Sequence, residues 1–196
     1  MIFPFENRAG HLIRYTKAFG TCIALLLFWS SVDAQSLAGL STKWDDSFNE
    51  WIVYTTDAEL VGEIVMRWPL RNDWSEWDYR IGELSGSIRI KWKDDPNLWE
   101  LRGGSEIVTI RTVFQDDFRQ WEVKTSGFTV DVKSKWANIL EEWYVEGSRS
   151  GKFDMFTAWE GDLRDWVVED QLDPAISIHV KLGLVFIPIL YTIPKF

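Results

Sequence analysis

Histidine and cysteine, which supply most nucleophilic and zinc-binding sites, are scarce in this chain. The sequence has two histidines and one cysteine among 196 residues, and only His179 lies beyond residue 34. A Ser-His-Asp or Cys-His device would have to use His179. That residue lies in an apolar stretch, where a satisfied or solvated histidine is the simpler interpretation. No residues show zinc-ligand spacing, and no glycine-rich phosphate loop follows a strand pattern. We therefore predict no catalytic residue, no metal site, no cofactor and no enzymatic activity.

Acidic pairs are the second group of residues that could do chemistry. An acid/base pair needs one carboxyl group in a dry pocket and a second within several ångströms, which a sequence cannot show. Pairs such as Glu141-Glu142 fit repeated surface charge equally well. Three more pairs recur in polar links, at Asp45-Asp46, Asp94-Asp95 and Asp116-Asp117. Adjacent aspartates in a link favour hydrogen bonds to nearby backbone amides, and a calcium site is the alternative.

Tryptophan is the residue with the clearest pattern. The chain has 13 tryptophans, and an aromatic residue precedes a second, anchoring tryptophan by a fixed spacer of six residues in most copies. The anchors are Trp51, Trp77, Trp99, Trp121, Trp143 and Trp166, which lie 22 to 26 residues apart. Such a period indicates a repeated supersecondary unit. We predict that these six residues, together with Trp92 and Trp136, form an inward aromatic ring that could bind a ligand.

Each repeat reads as two β-strands. Apolar residues alternate with charged ones, for example at Ile88, Ile90 and Trp92, and the opposite phase carries carboxylates on one strand and cations on the next. Opposite charges on neighbouring strands favour pairing and register. Hairpin turns are indicated by Gly103-Gly104, Ser126-Gly127 and Gly147-Ser148. The stretch from Leu37 to Trp44 matches the second half of a hairpin.

Residues 1–34 have the features of a secretory signal peptide. A basic region is followed by a short apolar run, Ile23 to Trp29, and by the small-residue cleavage site Val32-Asp33-Ala34. We expect cleavage near Ala34 and a secreted or periplasmic product without cysteine. A net charge of −9 argues against nucleic acid and anionic membrane surfaces as partners.

The C-terminal segment breaks the repeat. Asp173-Pro174 is a helix start signal, and residues 175–193 are the most apolar part of the predicted mature chain. His179, Lys181 and Pro188 argue against a transmembrane helix. We predict a buried helix at about 174–193, with a final strand at 176–182 as the alternative.

These elements together predict an all-β fold with one buried helix. A meander of about twelve antiparallel strands, with hairpin repeats over residues 44–170, tends to close because twist accumulates and open edges are hazardous. A barrel of that size encloses space, which the C-terminal helix would fill. Residues 35–196 then form a single repeat β-barrel domain after the signal peptide.

Hairpins closing around a hydrophobic C-terminal helix resemble the Tubby C-terminal-like superfamily, which includes the LURP-one-related proteins and phospholipid scramblases, and the related β-flower proteins. The resemblance covers residues from about Ser36 to Phe196. It implies an up-and-down barrel around a central helix. Tubby proteins bind phosphoinositides through basic side chains, and no positions in this acidic chain match that site.

Three functional hypotheses follow. The first is a non-catalytic exported barrel that acts as a structural or ligand-binding module, for a lipid or another apolar group. The second is a carbohydrate-binding surface of exposed tryptophans. The third is a protein-partner surface at an open sheet edge.

Overall fold

Twelve antiparallel strands and one α-helix account for most of the chain. The computed structural model describes residues 35–146 and 150–192. The predicted signal peptide and the Gly147-Ser148 turn lie outside the described residues. The strands are β1 Leu37–Trp44, β2 Ser47–Thr55, β3 Val61–Trp68, β4 Asp73–Ile81, β5 Leu84–Ile90, β6 Leu98–Gly103, β7 Glu106–Thr112, β8 Gln120–Lys124, β9 Thr129–Ser134, β10 Glu142–Glu146, β11 Gly151–Thr157 and β12 Asp165–Leu172. A 3₁₀ turn spans Pro69–Arg71, and α1 spans Ile178–Thr192.

Each strand pairs with its neighbours in sequence, and the ring closes where β1 meets β12. Gly39 is opposite Val167 and Leu40 is opposite Trp166 at this seam. The predicted twelve-stranded closed barrel is therefore confirmed, with the leading half-hairpin as the closing strand. None of the twelve described strands keeps an unpaired edge, so the open-edge hypothesis for a protein partner has no such edge to use here.

The two ends of the barrel differ in their connections. At one end, called the hairpin end, each even-numbered strand from β2 to β10 is connected to the next strand. Strand β12 also ends there. At the other end, called the link end, one segment leads from each odd-numbered strand to the next strand. The first of these is a two-residue turn, and the others include residues 91–97, 113–119, 135–141 and 158–164. Because α1 follows β12, it enters the barrel at the hairpin end.

The C-terminal segment is a helix, as predicted, but it begins four residues later than the sequence indicated. Asp173 accepts a hydrogen bond from the Ala175 amide and forms a separate turn. Ser177 is the N-cap instead: its Oγ accepts a bond from the Val180 amide at 3.3 Å. A serine side chain can satisfy a free amide of the first helical turn, so the cap lies at Ser177 and Pro174 precedes the helix.

The helix lies inside the barrel. All residues from His179 to Ile189 are buried, whereas a helix on a protein surface keeps one polar, exposed face. The inward residues of the strands supply the other side of the core, and Leu101, Val108 and Ile110 have no exposed surface. Twelve strands leave space for an element about 10 Å wide, which α1 occupies. No helix within the described ranges is long and apolar enough to cross a membrane.

One buried ion pair ties α1 to the seam of the barrel. Lys181 Nζ lies 2.9 Å from Asp170 Oδ2, and the two side chains are 1% and 0% exposed. The same Asp170 oxygen accepts a bond from the Leu37 amide of β1 at 2.9 Å. A charged group in an apolar interior is stable only when paired and hydrogen-bonded. Helix, first strand and last strand thus meet at one carboxylate.

The outer wall carries charges in rows, as the alternation predicted. Cations of odd-numbered strands or their ends lie beside carboxylates of the following even-numbered strand. These pairs are Lys43–Glu50, Arg67–Glu76, Arg67–Asp78, Arg89–Glu100, Arg111–Glu122, Lys135–Glu142 and Lys152–Glu169. Exposed pairs of this kind add little to global stability but favour one register.

Candidate functional site

The six anchoring tryptophans point into the barrel, as predicted. All are buried, with Trp51 and Trp77 fully so. Each is three residues past a residue in a link or at the start of a strand, whose carbonyl oxygen accepts a hydrogen bond from the indole Nε1–H at 2.8 to 3.0 Å. The bonds run from Trp51 to Phe48, Trp77 to Trp74, Trp99 to Pro96, Trp121 to Phe118, Trp143 to Leu140 and Trp166 to Leu163. The repeat spacing therefore encodes a loop-to-core bond.

These inner tryptophans are already engaged within the chain. Phe186 of α1 packs edge-on against Trp77 and Trp99, with ring centroids 5.7 and 5.4 Å apart. Edge-to-face packing at this distance adds to the stability that burial alone provides. The single polar atom of each indole is bonded to a main-chain carbonyl at the link end. A ligand would have to displace α1 to reach these rings.

The prediction that Trp92 and Trp136 also point inward is wrong. They are 62% and 49% exposed. The alternation of inward and outward side chains holds only within a paired strand, and β5 ends at Ile90 while β9 ends at Ser134. Both tryptophans lie in the links beyond those ends.

Trp92 and Trp136 belong to a second set of aromatic residues, here called the outer aromatics. They are the first aromatic of each repeat, at the link end: Trp44, Trp68, Trp92, Phe114, Trp136 and Trp159. All are between 41% and 69% exposed. Register shifts in β1, between Thr42 and Trp44, and in β3, between Met66 and Trp68, precede the two that lie within strands. Large exposed apolar side chains grouped at one end of a protein mark an interaction surface.

Three outer aromatics are covered by a cation. Lys43 lies over Trp44 at 5.5 Å, Arg71 over Trp68 at 5.2 Å and Lys135 over Trp136 at 5.4 Å from the ring centroid. These are cation–π distances.

The indole N–H groups of the covered rings approach carboxylates of the next strand. Trp68 Nε1 donates to Glu76 Oε2 at 3.3 Å. A hydrogen bond from Lys43 holds the pKa of Glu50 below its ordinary value, and a weaker bond from Trp44 acts in the same direction. The covered aromatics therefore already contact a cation on one face of the ring and a carboxylate at one edge.

The other three outer aromatics, Trp92, Phe114 and Trp159, are the most exposed, at 62%, 60% and 69%. Each begins the same turn. The carbonyl of the aromatic residue accepts a bond from the amide three residues on, at 3.1 Å in every case. The third residue of the turn has positive φ: 64° at Asp94, 60° at Asp116 and 77° at Gly161. The chain thus builds one aromatic-bearing turn three times.

An aspartate completes each of these turns. Asp95, Asp117 and Asp162 accept, through Oδ1, the amide of the residue two positions on, at 3.0 to 3.1 Å. The predicted use of paired aspartates in backbone hydrogen bonds is confirmed at Asp95 and Asp117. Within residues 35–146 and 150–192, no group of three acidic, histidine or cysteine side chains could hold a metal ion.

Two neighbouring turns are bonded to each other through Asn97. Its Oδ1 accepts the Asp116 amide at 2.7 Å, and its Nδ2 donates to Asp116 Oδ1 at 3.0 Å. Trp92 and Phe114 therefore stand on a rigid pair of links, called the Trp92–Phe114 platform. The links are two strands apart, a separation of about 10 Å. Beside Phe114 a groove of about 380 Å³ opens between links 113–119 and 135–141, with Asp116, Asn138 and Tyr191 in its lining.

A polar cluster lies at the opposite, hairpin end. His179 Nδ1 is 3.0 Å from Glu106 Oε2, and Ser177 Oγ donates to Glu106 Oε1 at 2.9 Å. His179 Nε2 and the Tyr79 hydroxyl are buried and have no hydrogen-bond partner. Burial, and secondarily the charge of Glu106, raises the pKa of Tyr79 far above its ordinary value. The predicted satisfied histidine is thus half satisfied, and Tyr79 keeps its proton.

The fixed spacing of the aromatic residues did not by itself separate the outer aromatics from the inner ones. The available signal was the basic residue directly before several of them, as in Lys43-Trp44, Arg67-Trp68, Lys91-Trp92 and Lys135-Trp136. A cation in the preceding position indicates the end of a strand near solvent. Comparison with known proteins found no match: no family model fits the chain, and no curated protein or solved structure is significantly similar to it.

Proposed function

We propose that the protein is a non-catalytic binding module that recognises carbohydrate through the Trp92–Phe114 platform at the link end. The observation that carries this proposal is the pair of exposed, uncovered rings on two links joined by Asn97. The proposal keeps the non-catalytic, exported module inferred from the sequence and moves the binding surface from the inner tryptophans to the outer aromatics.

The chemistry around the platform favours sugar over lipid. A pyranose ring has an apolar C–H face, which stacks on an aromatic ring, and a rim of hydroxyl groups, which need hydrogen-bond partners. Polar groups such as Asp116 and Asn138 line the groove next to Phe114. An acyl chain would remove these groups from water without giving them partners, which is unfavourable. The net charge of −9 also opposes anionic lipid headgroups.

The arrangement of the rings favours an extended glycan. Links about 10 Å apart can present their two aromatic rings to alternate sugar units of a polysaccharide. The hydrogen bonds between links 91–97 and 113–119 fix this spacing before binding, and a surface that is already ordered loses less conformational freedom on binding. The resemblance to Tubby C-terminal-like proteins stays a prediction and adds no ligand to this proposal.

The test is a binding measurement with soluble and arrayed polysaccharides. We expect the unaltered protein to bind at least one glycan, and Trp92→Ala and Phe114→Ala each to weaken that binding by about tenfold or more, as for aromatic residues at the centre of an interface. Trp136→Ala is the matched control, because Trp136 is also one of the outer aromatics but its ring is covered by Lys135. It should change affinity little. Melting curves would show that all three variants are folded.

Three results would contradict the proposal. Binding to no glycan would exclude a carbohydrate function. Glycan binding that survives both platform substitutions would place the site elsewhere on the molecule. Binding to neutral phosphatidylcholine vesicles, lost in Trp92→Ala, would show that the platform recognises an apolar surface instead.

A further inference from the structure

Gln35, the residue that follows the predicted cleavage site, is hydrogen-bonded to the buried helix α1. Lys181 Nζ, on the buried helix, donates a hydrogen bond to the main-chain oxygen of Gln35 at 3.0 Å. The side-chain oxygen of Gln35 is also buried, and it accepts no hydrogen bond. One residue further on, the Ser36 carbonyl accepts the Thr56 amide at 2.9 Å. Gln35 is therefore bonded to α1 through its main-chain oxygen, and its side-chain oxygen also lies in the interior.

The charge at this position is already balanced. The Lys181 ammonium is compensated by the Asp170 carboxylate. Both oxygens of Asp170 also accept backbone amides, Oδ2 from Leu37 and Oδ1 from Leu172. Asp170 therefore already serves one cation and two amides, and its single negative charge is matched by Lys181, so a second cation beside Lys181 would add an uncompensated positive charge. Burying an uncompensated charge is strongly unfavourable.

Signal cleavage after Ala34 would place such a cation there, because Gln35 would then carry a free α-ammonium group. We propose that the processed chain begins at Gln35 and that this residue is converted to pyroglutamate. The inference rests on the predicted cleavage site and is independent of the carbohydrate proposal.

The reaction is an intramolecular substitution without a redox change. The α-amino nitrogen of Gln35 attacks the side-chain carboxamide carbon, a C–N bond forms, and the bond to the amide nitrogen breaks. That nitrogen takes up a proton and leaves as ammonia. The product is a five-membered lactam with no charge. It leaves the carbonyl that Lys181 binds unaltered, and it removes the second cation from beside the Lys181–Asp170 pair.

Intact-mass and N-terminal analysis of the exported, full-length gene product test the proposal directly. We expect the mass of residues 35–196 less one ammonia, together with a chain that resists Edman sequencing until a pyroglutamyl aminopeptidase has removed its first residue. A processed chain with a free amine on Gln35 would overturn the proposal. So would a mature chain that starts at another residue, or an uncleaved chain.

A second measurement tests the physical reason. Gln35→Ala and Gln35→Asn keep a free α-amino group at the same place. Since the folded state disfavours the ammonium form, the unfolded state binds more protons, and stability rises with pH. Both variants should therefore melt below the unaltered protein at pH 6, and the difference should close as the pH rises through about 8, where an α-amino group loses its proton. A constant difference at all pH values would contradict the charge argument.

Discussion

Tyr79 fills space that two glycines leave open inside the barrel. Gly86 is opposite Tyr79 on β5, and Gly103 is opposite Gly86 on β6. A Cβ atom on Gly103 would lie 1.9 Å from the Tyr79 hydroxyl and 2.5 Å from His179 Nε2. A side chain that covers cross-strand glycines restores the packing they lack. The Tyr79 hydroxyl and His179 Nε2, which have no hydrogen-bond partner, therefore both lie next to Gly103, where only glycine fits.

Substitutions at this point should separate packing from hydrogen bonding. Gly103→Ala should destabilise the protein, because its Cβ overlaps two side chains. Tyr79→Phe should leave stability unchanged or raise it, by up to about 1–3 kcal/mol, because it removes a buried hydroxyl that has no partner. The double variant should recover part of the loss in Gly103→Ala. Urea denaturation of the four proteins would measure these differences.

Gly86→Ala is the control for that series. Its Cβ would meet the main-chain oxygen of Arg102 at 2.1 Å, in addition to the Tyr79 hydroxyl. Backbone cannot move aside as a side chain can, so Tyr79→Phe should not rescue this variant. A Tyr79→Phe protein that is clearly less stable than the original would show that the hydroxyl has a partner, such as a bound water.

At the scale of elements, the pairing of β5 with β6 concentrates three cations on one carboxylate. Glu100 Oε1 is 2.6 Å from Arg102 Nε and 3.6 Å from Arg89, and Lys91 lies 3.9 Å from Oε2. The hydrogen bond from Arg102, followed by the charges of Arg102, Lys91 and Arg89, lowers the pKa of Glu100 below its ordinary value of 4.5. The Glu100 side chain is only 8% exposed, so these interactions are poorly screened by solvent.

This arrangement predicts how stability depends on pH. A folded pKa below the unfolded one stabilises the native state above the unfolded value, and this stability is lost as the pH falls through the folded pKa. Glu100→Gln should therefore be less stable than the original at pH 7, and the two proteins should converge as the pH falls through the lowered pKa of Glu100. Glu63→Gln is the control. Its ion pair with Arg80 is well exposed, and such pairs contribute little.

The element pattern could be predicted from the sequence further than the site could. The period of the anchors, the alternation within strands and the apolar tail were enough for the strand number, the closure and the inner helix. The helix start was misplaced because Asp173 and Ser177 both have the chemistry of a cap. Trp92 and Trp136 were misplaced because period-2 alternation does not show where a strand stops. The bond through Asn97 joins residues 19 apart and leaves no local signal.

At the scale of the whole molecule, Lys181 and Asp170 hold the helix and the closing strands together. Lys181→Met should lower stability by about 3–5 kcal/mol, because it leaves a buried carboxylate unpaired. The double variant Lys181→Met, Asp170→Leu removes both charges and should be less destabilised than Lys181→Met alone. Thermal or denaturant unfolding of these two variants and of Asp170→Leu would decide this. A double variant as unstable as the sum of its parts would show that the pair does not act as a unit.

The seam between β1 and β12 also sets the order in which the molecule can be completed. The first strand of the barrel has only β2 beside it until the last strand has been made, and the segment that fills the interior is synthesised after both. Contacts between such distant parts of a chain form slowly. A growing polypeptide can hold a curved, unfilled sheet at most, so the finished interior must await the emergence of α1 from the ribosome. Completion of the barrel only after synthesis is compatible with the exported location that we propose.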